Sequence, residues 1–81
     1  MYASTVEIDL HGKNRYQAGV AVDAALRRAG AATCRIRLIH GCNSGTSLRD
    51  FVWERYNGHP RVLRIAPGPN RGITELILRE Y

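Results

Sequence analysis

At 81 residues, with 44% of them hydrophobic and 23% charged, the chain has the composition of one soluble domain with a thin core and not that of a disordered tail. It has no apolar run near the ~18 residues that a membrane-spanning helix needs, and its first residues lack the features of a signal peptide, so we expect a stand-alone cytoplasmic domain that does not contact a membrane. Eleven arginines and one lysine against seven carboxylates give a net charge of +5, which favours an anionic partner, although codon bias in a GC-rich genome also explains an excess of arginine.

The first two predicted elements are a strand and a helix joined by a His–Gly turn. Apolar and polar residues alternate over residues 6–11, which predicts a half-buried strand that ends at Gly12. Asn14 and Gln17 have the spacing of a helix capping box. Apolar residues at helical intervals then predict a helix over residues 15–29, which Gly30 terminates.

A second strand and helix follow with the same arrangement. Residues 34–40 alternate between apolar and basic side chains, which predicts a strand, and a glycine-containing loop comes after it. Either Thr46 or Ser47 is the expected N-cap of a helix over residues 47–57, and Gly58 ends that helix.

The two cysteines lie at opposite ends of the second predicted strand. Eight residues at ~3.3 Å each separate Cys34 from Cys42 by far more than the ~7 Å between Cα atoms that a disulfide allows. We therefore predict two free thiols, as in a reducing compartment. Neither cysteine has a spacing typical of a zinc site.

The last two predicted elements are strands over residues 61–66 and 73–80, separated by a turn rich in proline and glycine. The order β-α-β-α-β-β predicts a two-layer α/β sandwich with both helices on one face, because crossovers between parallel strands are right-handed. The apolar run at residues 76–78 indicates a strand with a neighbour on each side. We therefore predict a mixed four-stranded sheet with order 1-2-4-3 and an antiparallel fourth strand.

The face of this sheet that the helices leave open is predicted to be charged. Alternation places Glu7, Asp9, Arg35, Arg37 and Arg64 there. Cross-strand ion pairs on a solvated surface are one explanation, and a platform for nucleic acid is the other. None of these positions is aromatic, whereas a sheet that reads RNA uses exposed aromatic side chains.

Two His–Gly turns are predicted to meet at one edge of the sheet. One follows the first strand, in the segment of residues 8–12, and the other begins at His40. The carboxyl ends of parallel neighbours lie about 4.8 Å apart at the same edge, where open α/β sheets usually bind their ligands.

These two segments resemble the signatures of the Smr (small MutS-related) domain family, and the similarity extends over nearly the whole chain. The first signature, Asp-Leu-His-Gly, falls on residues 9–12, and the second falls on His40, Gly41 and Asn43. Asn43 stands where the family has a second glycine, and it tolerates positive φ better than most other residues. The resemblance implies the fold of the C-terminal domain of bacterial translation initiation factor three, nucleic-acid binding and, for several members, nicking of DNA or RNA.

The candidate site residues follow from the chemistry of phosphodiester cleavage, which needs a proton acceptor and stabilisation of charge on the phosphoryl oxygens. His11 is the candidate general acid or base, or it fixes the strand-to-helix turn by a hydrogen bond. Asp9 is expected to orient His11 or to hold Mg²⁺, although one carboxylate does not make a clear ligand set. His40 is a second catalytic candidate, with a structural role as its alternative. The expected phosphate-binding residues are Gly12, Gly41, Asn43, Ser44, Gly45, Thr46, Arg15, Arg49 and Arg71.

The sequence and this resemblance thus predict a nucleic-acid-binding domain of Smr type, with nicking of DNA or RNA phosphodiesters as a candidate activity that they leave open. The alternative is an interaction module that binds nucleic acid or a partner protein without chemistry. Binding of a small phosphate ester at the loop of residues 41–45 is a third hypothesis, weakened because so thin a core offers little room for a pocket.

Overall fold

The computed structural model describes residues 4–41 and 47–79. Within these residues the elements follow the predicted order, which is β1 (Ser4–Asp9), α1 (Arg15–Arg28), β2 (Thr33–Ile39), α2 (Ser47–Tyr56), β3 (Arg64–Pro67) and β4 (Ile73–Ile77). No helix in the described part of the chain is long and apolar enough to cross a membrane.

The four strands form one sheet in the order β1-β2-β4-β3, as predicted. β1 and β2 are parallel, and β4 is antiparallel to both of its neighbours. The central position of β4 explains its apolar composition, since Leu76 and Ile77 are both buried although they point to opposite faces of the sheet.

The hydrophobic core lies between the sheet and the two helices. Ile36, Leu38 and Leu76 of the sheet pack in one cluster with residues from both helices, so both helices cover the same face. The members of the cluster are Leu10, Ala18, Val22, Leu26, Ile36, Leu38, Val52, Tyr56, Val62 and Leu76. The predicted two-layer α/β sandwich is confirmed.

The start of α1 was predicted correctly, and its end differs by one residue. Asn14 accepts a hydrogen bond from the backbone N–H of Gln17, and the side chain of Gln17 accepts one from the N–H of Asn14, which completes a capping box. The helix ends at Arg28 with Ala29 as an extended C-cap, so Gly30 does not stop it through a left-handed conformation. The guanidinium of Arg61 instead donates 2.9 Å to the carbonyl oxygen of Leu26 in the last turn.

β3 begins three residues later than predicted. Residues 59–62 form a turn, in which the N–H of Val62 donates to the carbonyl of His59 and the N–H of Arg61 donates to the His59 ring. This turn keeps residues 61–63 out of the regular strand and lets Val62 reach the core, where it is 6% exposed. β4 ends at Ile77, earlier than predicted, and the N–H groups of Leu78 and Arg79 beyond it both donate to the one carbonyl of Cys34, which departs from a regular ladder.

The open face of the sheet carries the predicted charges as a network of ion pairs. Glu75, which is buried, accepts hydrogen bonds of 3.0 Å from both Arg35 and Arg37. Arg37 also lies 3.3 Å from Glu7. The network supports the interpretation as cross-strand ion pairs, because its arginines are already paired with carboxylates.

Cys34 is a buried free thiol, which agrees with the prediction for this residue. Cys42 lies outside the described residues.

Candidate functional site

The two His–Gly turns lie side by side at the carboxyl ends of β1 and β2. The backbone N–H of Leu10 donates 2.8 Å to the carbonyl of Ile39, which continues the pairing of the strands up to the turns. Gly12 and Gly41 both have positive φ, +80° and +76°, a conformation that glycine adopts without strain. A Cβ atom on Gly41 would lie 3.5 Å from Cδ2 of His11, so the two turns are in contact.

The second turn is tied to the loop that precedes β4. The backbone N–H groups of His40 and Gly41 both donate to the carbonyl of Gly72, at 2.9 and 3.0 Å. A Cβ on Gly72 would lie only 3.3 Å from Cα of Gly41, so the approach of the two backbones requires little or no side chain at this position. Arg71, which is exposed and adjoins Gly72, is thereby brought to the same edge.

His40 faces inwards and is held by the fold. Its Nδ1 lies 2.9 Å from the carbonyl oxygen of Gly41, and its Nε2 lies 2.8 Å from Oγ1 of Thr74. The indole Nε1–H of Trp53 donates to the same hydroxyl oxygen at 3.1 Å. His40 is 6% exposed, so both ring nitrogens are engaged in a buried setting that suits a structural role better than proton transfer to a ligand.

His11 is arranged differently from His40. Its side chain is exposed, and no residue in the described ranges hydrogen-bonds to its ring nitrogens. Its backbone N–H donates 2.9 Å to Oδ1 of Asp9, so the carboxylate fixes the turn through the main chain. Of the two expected histidines, His11 is the one whose imidazole faces solvent.

The N-termini of the two helices are bridged at this edge. Nη2 of Arg15, the first residue of α1, lies 3.3 Å from Oγ of Ser47, the first residue of α2. A helix N-terminus offers unpaired N–H groups and a favourable dipole to an anion. The predicted site residues Asn43, Ser44, Gly45 and Thr46 lie outside the described residues.

The basic side chains at this edge differ from those of the sheet face. Lys13, Arg15 and Arg71 are exposed and form no ion pair with a carboxylate among residues 4–41 and 47–79. Arg49 already has two partners, since its guanidinium lies 5.2 Å from the centroid of the Trp53 ring and 3.5 Å from the carboxylate of Asp50. The edge therefore carries more positive than negative charge, even with the carboxylates of Asp9 and Asp50 counted.

Three further residues belong to this region and were not predicted as site residues from the sequence: Thr74, Trp53 and Tyr16. Thr74 gives no signal in the sequence, because a threonine inside a strand is ordinary. Trp53 is partly buried. Tyr16 follows Arg15 and is 80% exposed. The described residues contain no cluster of three or more histidine, cysteine or acidic side chains that could hold a metal ion.

A mixed four-stranded sheet, two helices on one face and a basic edge built from two His–Gly turns define a small α/β domain with its candidate site at the strand ends. The chain belongs to the Smr domain family, whose model matches residues 8–74. The crystal structure of the Smr domain of Thermus thermophilus MutS2 superposes with a TM-score of 0.82 at 32% sequence identity, covering 93% of this chain and 99% of that one. Comparison with curated proteins gives no significant match.

Proposed function

We propose that this domain binds nucleic acid through the edge formed by the His–Gly turns and the two helix N-termini. The observation that carries the proposal is the position of Arg15, whose guanidinium bridges the first residues of α1 and α2 without a carboxylate partner in the described part of the chain. Arg71 and Lys13 add two more such cations. The family association with nucleic acid, implied by the matching motifs, supports the same conclusion.

The physical basis is contact with the phosphate backbone. Exposed cations that are not neutralised by acidic neighbours release the counterions of a nucleic acid when they bind to it, and this release dominates affinity. Arg35 and Arg37 fit this role less well, because Glu75 and Glu7 together already neutralise them. We therefore expect the strand-end edge, and not the open sheet face, to supply most phosphate contacts.

The test is the salt dependence of binding to an oligonucleotide. Arg15→Ala and Arg71→Ala should each reduce the slope of log affinity against log salt by about 0.9 for duplex DNA or about 0.7 for a single strand. Arg28→Ala removes the same charge from the far end of α1 and serves as the matched control, with little expected change in slope. Equal effects of all three variants would indicate general charge attraction and would contradict a defined edge.

Nicking is a second candidate function, favoured by the exposed imidazole of His11 beside the phosphate-binding edge. An imidazole can act as a general acid or base, and a positioned proton-transfer group contributes ~10²–10⁴-fold to a rate. If the domain cleaves supercoiled DNA or structured RNA, with or without Mg²⁺, His11→Ala should remove cleavage and leave binding intact. Arg49→Ala should weaken binding to all sequences alike, because a phosphate contact carries no base information.

The interaction module without chemistry is the alternative outcome of this experiment. This hypothesis is supported if pure wild-type protein binds nucleic acid but produces the same background of nicks as His11→Ala. In that case, His11 contributes to the turn or to binding only.

A further inference from the structure

Tyr16 is an exposed aromatic residue directly beside the proposed phosphate-binding edge. Its 80% exposure exceeds that of every other large hydrophobic residue exposed in the described ranges. Tyr16 lies in the first turn of α1, and helical side chains lean towards the N-terminus of their helix, so the ring is directed towards the edge that carries Arg15. The ring can therefore contact a nucleotide that is bound at this edge.

The ring also borders a groove between α1 and α2. Gly19 has no side chain on this side of the groove, and Cζ of Phe51 lies 3.4 Å and Nε of Arg55 3.8 Å from where its Cβ would be, so an aromatic ring and a guanidinium line the floor together. Val20, which is 51% exposed, lies beside Tyr16 along the groove. An aromatic ring and a guanidinium next to an exposed tyrosine suit a planar ligand such as a base, because bases stack on aromatic side chains and on arginine.

The charges around the groove favour a ligand that is anionic at one end and neutral at the other. Arg15 lines one end of the groove and has no acidic partner in the described residues. At the inner end, the carboxylate of Asp23 is neutralised by Arg55 at 2.7 Å and accepts a hydrogen bond of 2.7 Å from Tyr56. A nucleotide, with a phosphate at Arg15 and its base against Tyr16, matches this distribution.

The other aromatic residues near the edge are already occupied. Trp53 is covered by the guanidinium of Arg49 and donates its indole N–H to Thr74. Tyr56 is fully buried in the core. In the part of the chain that the structure describes, Tyr16 is thus the exposed aromatic ring available for stacking.

We propose that Tyr16 and the groove beside it bind one unpaired base, so that the domain prefers nucleic acid with unpaired bases to a uniform duplex. This inference rests on the proposed function, because the phosphate contact at Arg15 places the nucleotide. Bases inside a duplex are stacked on both faces and are not accessible to a tyrosine ring, whereas unpaired bases stack on aromatic side chains.

The experiment compares binding of a single-stranded DNA oligonucleotide and of the same sequence as a duplex by wild type and three variants of the full chain. Each DNA carries the fluorescent base analogue 2-aminopurine. Tyr16→Ala should weaken single-strand binding about 5- to 100-fold, the range that loss of one base–aromatic stack gives, and should change duplex binding little. Tyr16→Phe keeps the ring and should bind as wild type does. Leu63→Ala removes another exposed apolar side chain, in the segment before β3, and should have no effect.

The outcomes separate this inference from the proposed function. Quenching of 2-aminopurine that occurs with wild type and Tyr16→Phe but is lost with Tyr16→Ala supports stacking. Equal binding of Tyr16→Ala and wild type to the single strand overturns the stacking site and leaves the phosphate edge in place. Absence of binding to either DNA by wild type at low salt overturns both.

Discussion

Nε2 of His40 and the hydroxyl oxygen of Thr74 lie 2.8 Å apart, and this contact ties the buried ring to β4. In the neutral ring, Nδ1 of His40 donates to the carbonyl of Gly41, which can only accept, and Nε2 accepts from the hydroxyl of Thr74. The hydroxyl in turn accepts from Trp53. One threonine thus connects β4, α2 and the second His–Gly turn.

Replacing Thr74 with Val should destabilise the domain by about 1–3 kcal/mol, because it leaves Nε2 of His40 and the indole N–H of Trp53 without their partner. Urea unfolding followed by the fluorescence of Trp53, the single tryptophan, measures this change. Thr74→Ser keeps the hydroxyl and should lower the free energy of unfolding clearly less than Thr74→Val does. If Val and Ser lower the free energy of unfolding equally, the hydroxyl network does not stabilise the turn.

Replacing Gly41 with Ala should cost about 1–2 kcal/mol of stability, because φ at this position is +76° and a residue with a Cβ is strained there. The new methyl group would lie in ordinary van der Waals contact with His11, but the strained turn would shift this edge, so binding of nucleic acid should weaken if the proposed edge is correct. Gly30→Ala is the matched control, since Gly30 does not have positive φ and no atom lies near its missing Cβ. A loss of stability as large in Gly30→Ala would contradict the strain argument.

The Asp23 carboxylate should make stability depend on pH in the acid range. Burial by itself would raise the pKa of Asp23, but hydrogen bonds from Tyr56 and Arg55 outweigh burial and hold its pKa below the ordinary 3.8. The folded state therefore gains stability above that pH and loses it as the pH falls through the lowered pKa. We expect Asp23→Asn to be less stable than wild type by about 1 kcal/mol at neutral pH, and the difference to shrink in acid. A difference that does not change with pH would contradict the assignment.

The hydrogen bond between Tyr56 and Asp23 should also make stability depend on pH in the alkaline range. Burial and the hydrogen bond to Asp23 raise the pKa of Tyr56 to about 12. Because the unfolded chain releases this proton near 10, stability should fall as the pH rises from about 10 through about 12. Subtracting the tyrosinate absorbance titration of Tyr56→Phe from that of wild type isolates this group. A difference curve centred near 10 would be the contrary result.

Glu75 should contribute more to stability than Glu7, although both lie on the open sheet face. Glu75 is nearly buried between Arg35 and Arg37, whereas the side chain of Glu7 is 56% exposed and has one partner in the described residues. We expect Glu75→Gln to cost about 1–3 kcal/mol and Glu7→Gln less than about 1 kcal/mol, measured by urea unfolding at low salt. Equal small losses would show that solvent screens both carboxylates alike.

The sequence by itself determined the order of elements and the topology of the sheet. Alternation of apolar residues predicted the first two strands, and the spacing of Asn14 and Gln17 predicted the start of α1. Both signals come from residues that are near one another in the chain. The apolar run at residues 76–78 predicted a strand with two neighbours, and β4 is central for that reason. The edge where the two His–Gly turns meet followed from the topology alone.

Only the tertiary structure decided which side chains meet across the sheet. The pairing of β2 with β4 sets Arg37 opposite Glu75 and brings His40 to Thr74, which is 34 residues away along the chain. A shift of this register by one residue would exchange the two faces of β4 and separate both pairs. The register results from packing of the whole core, so a local sequence pattern does not contain it.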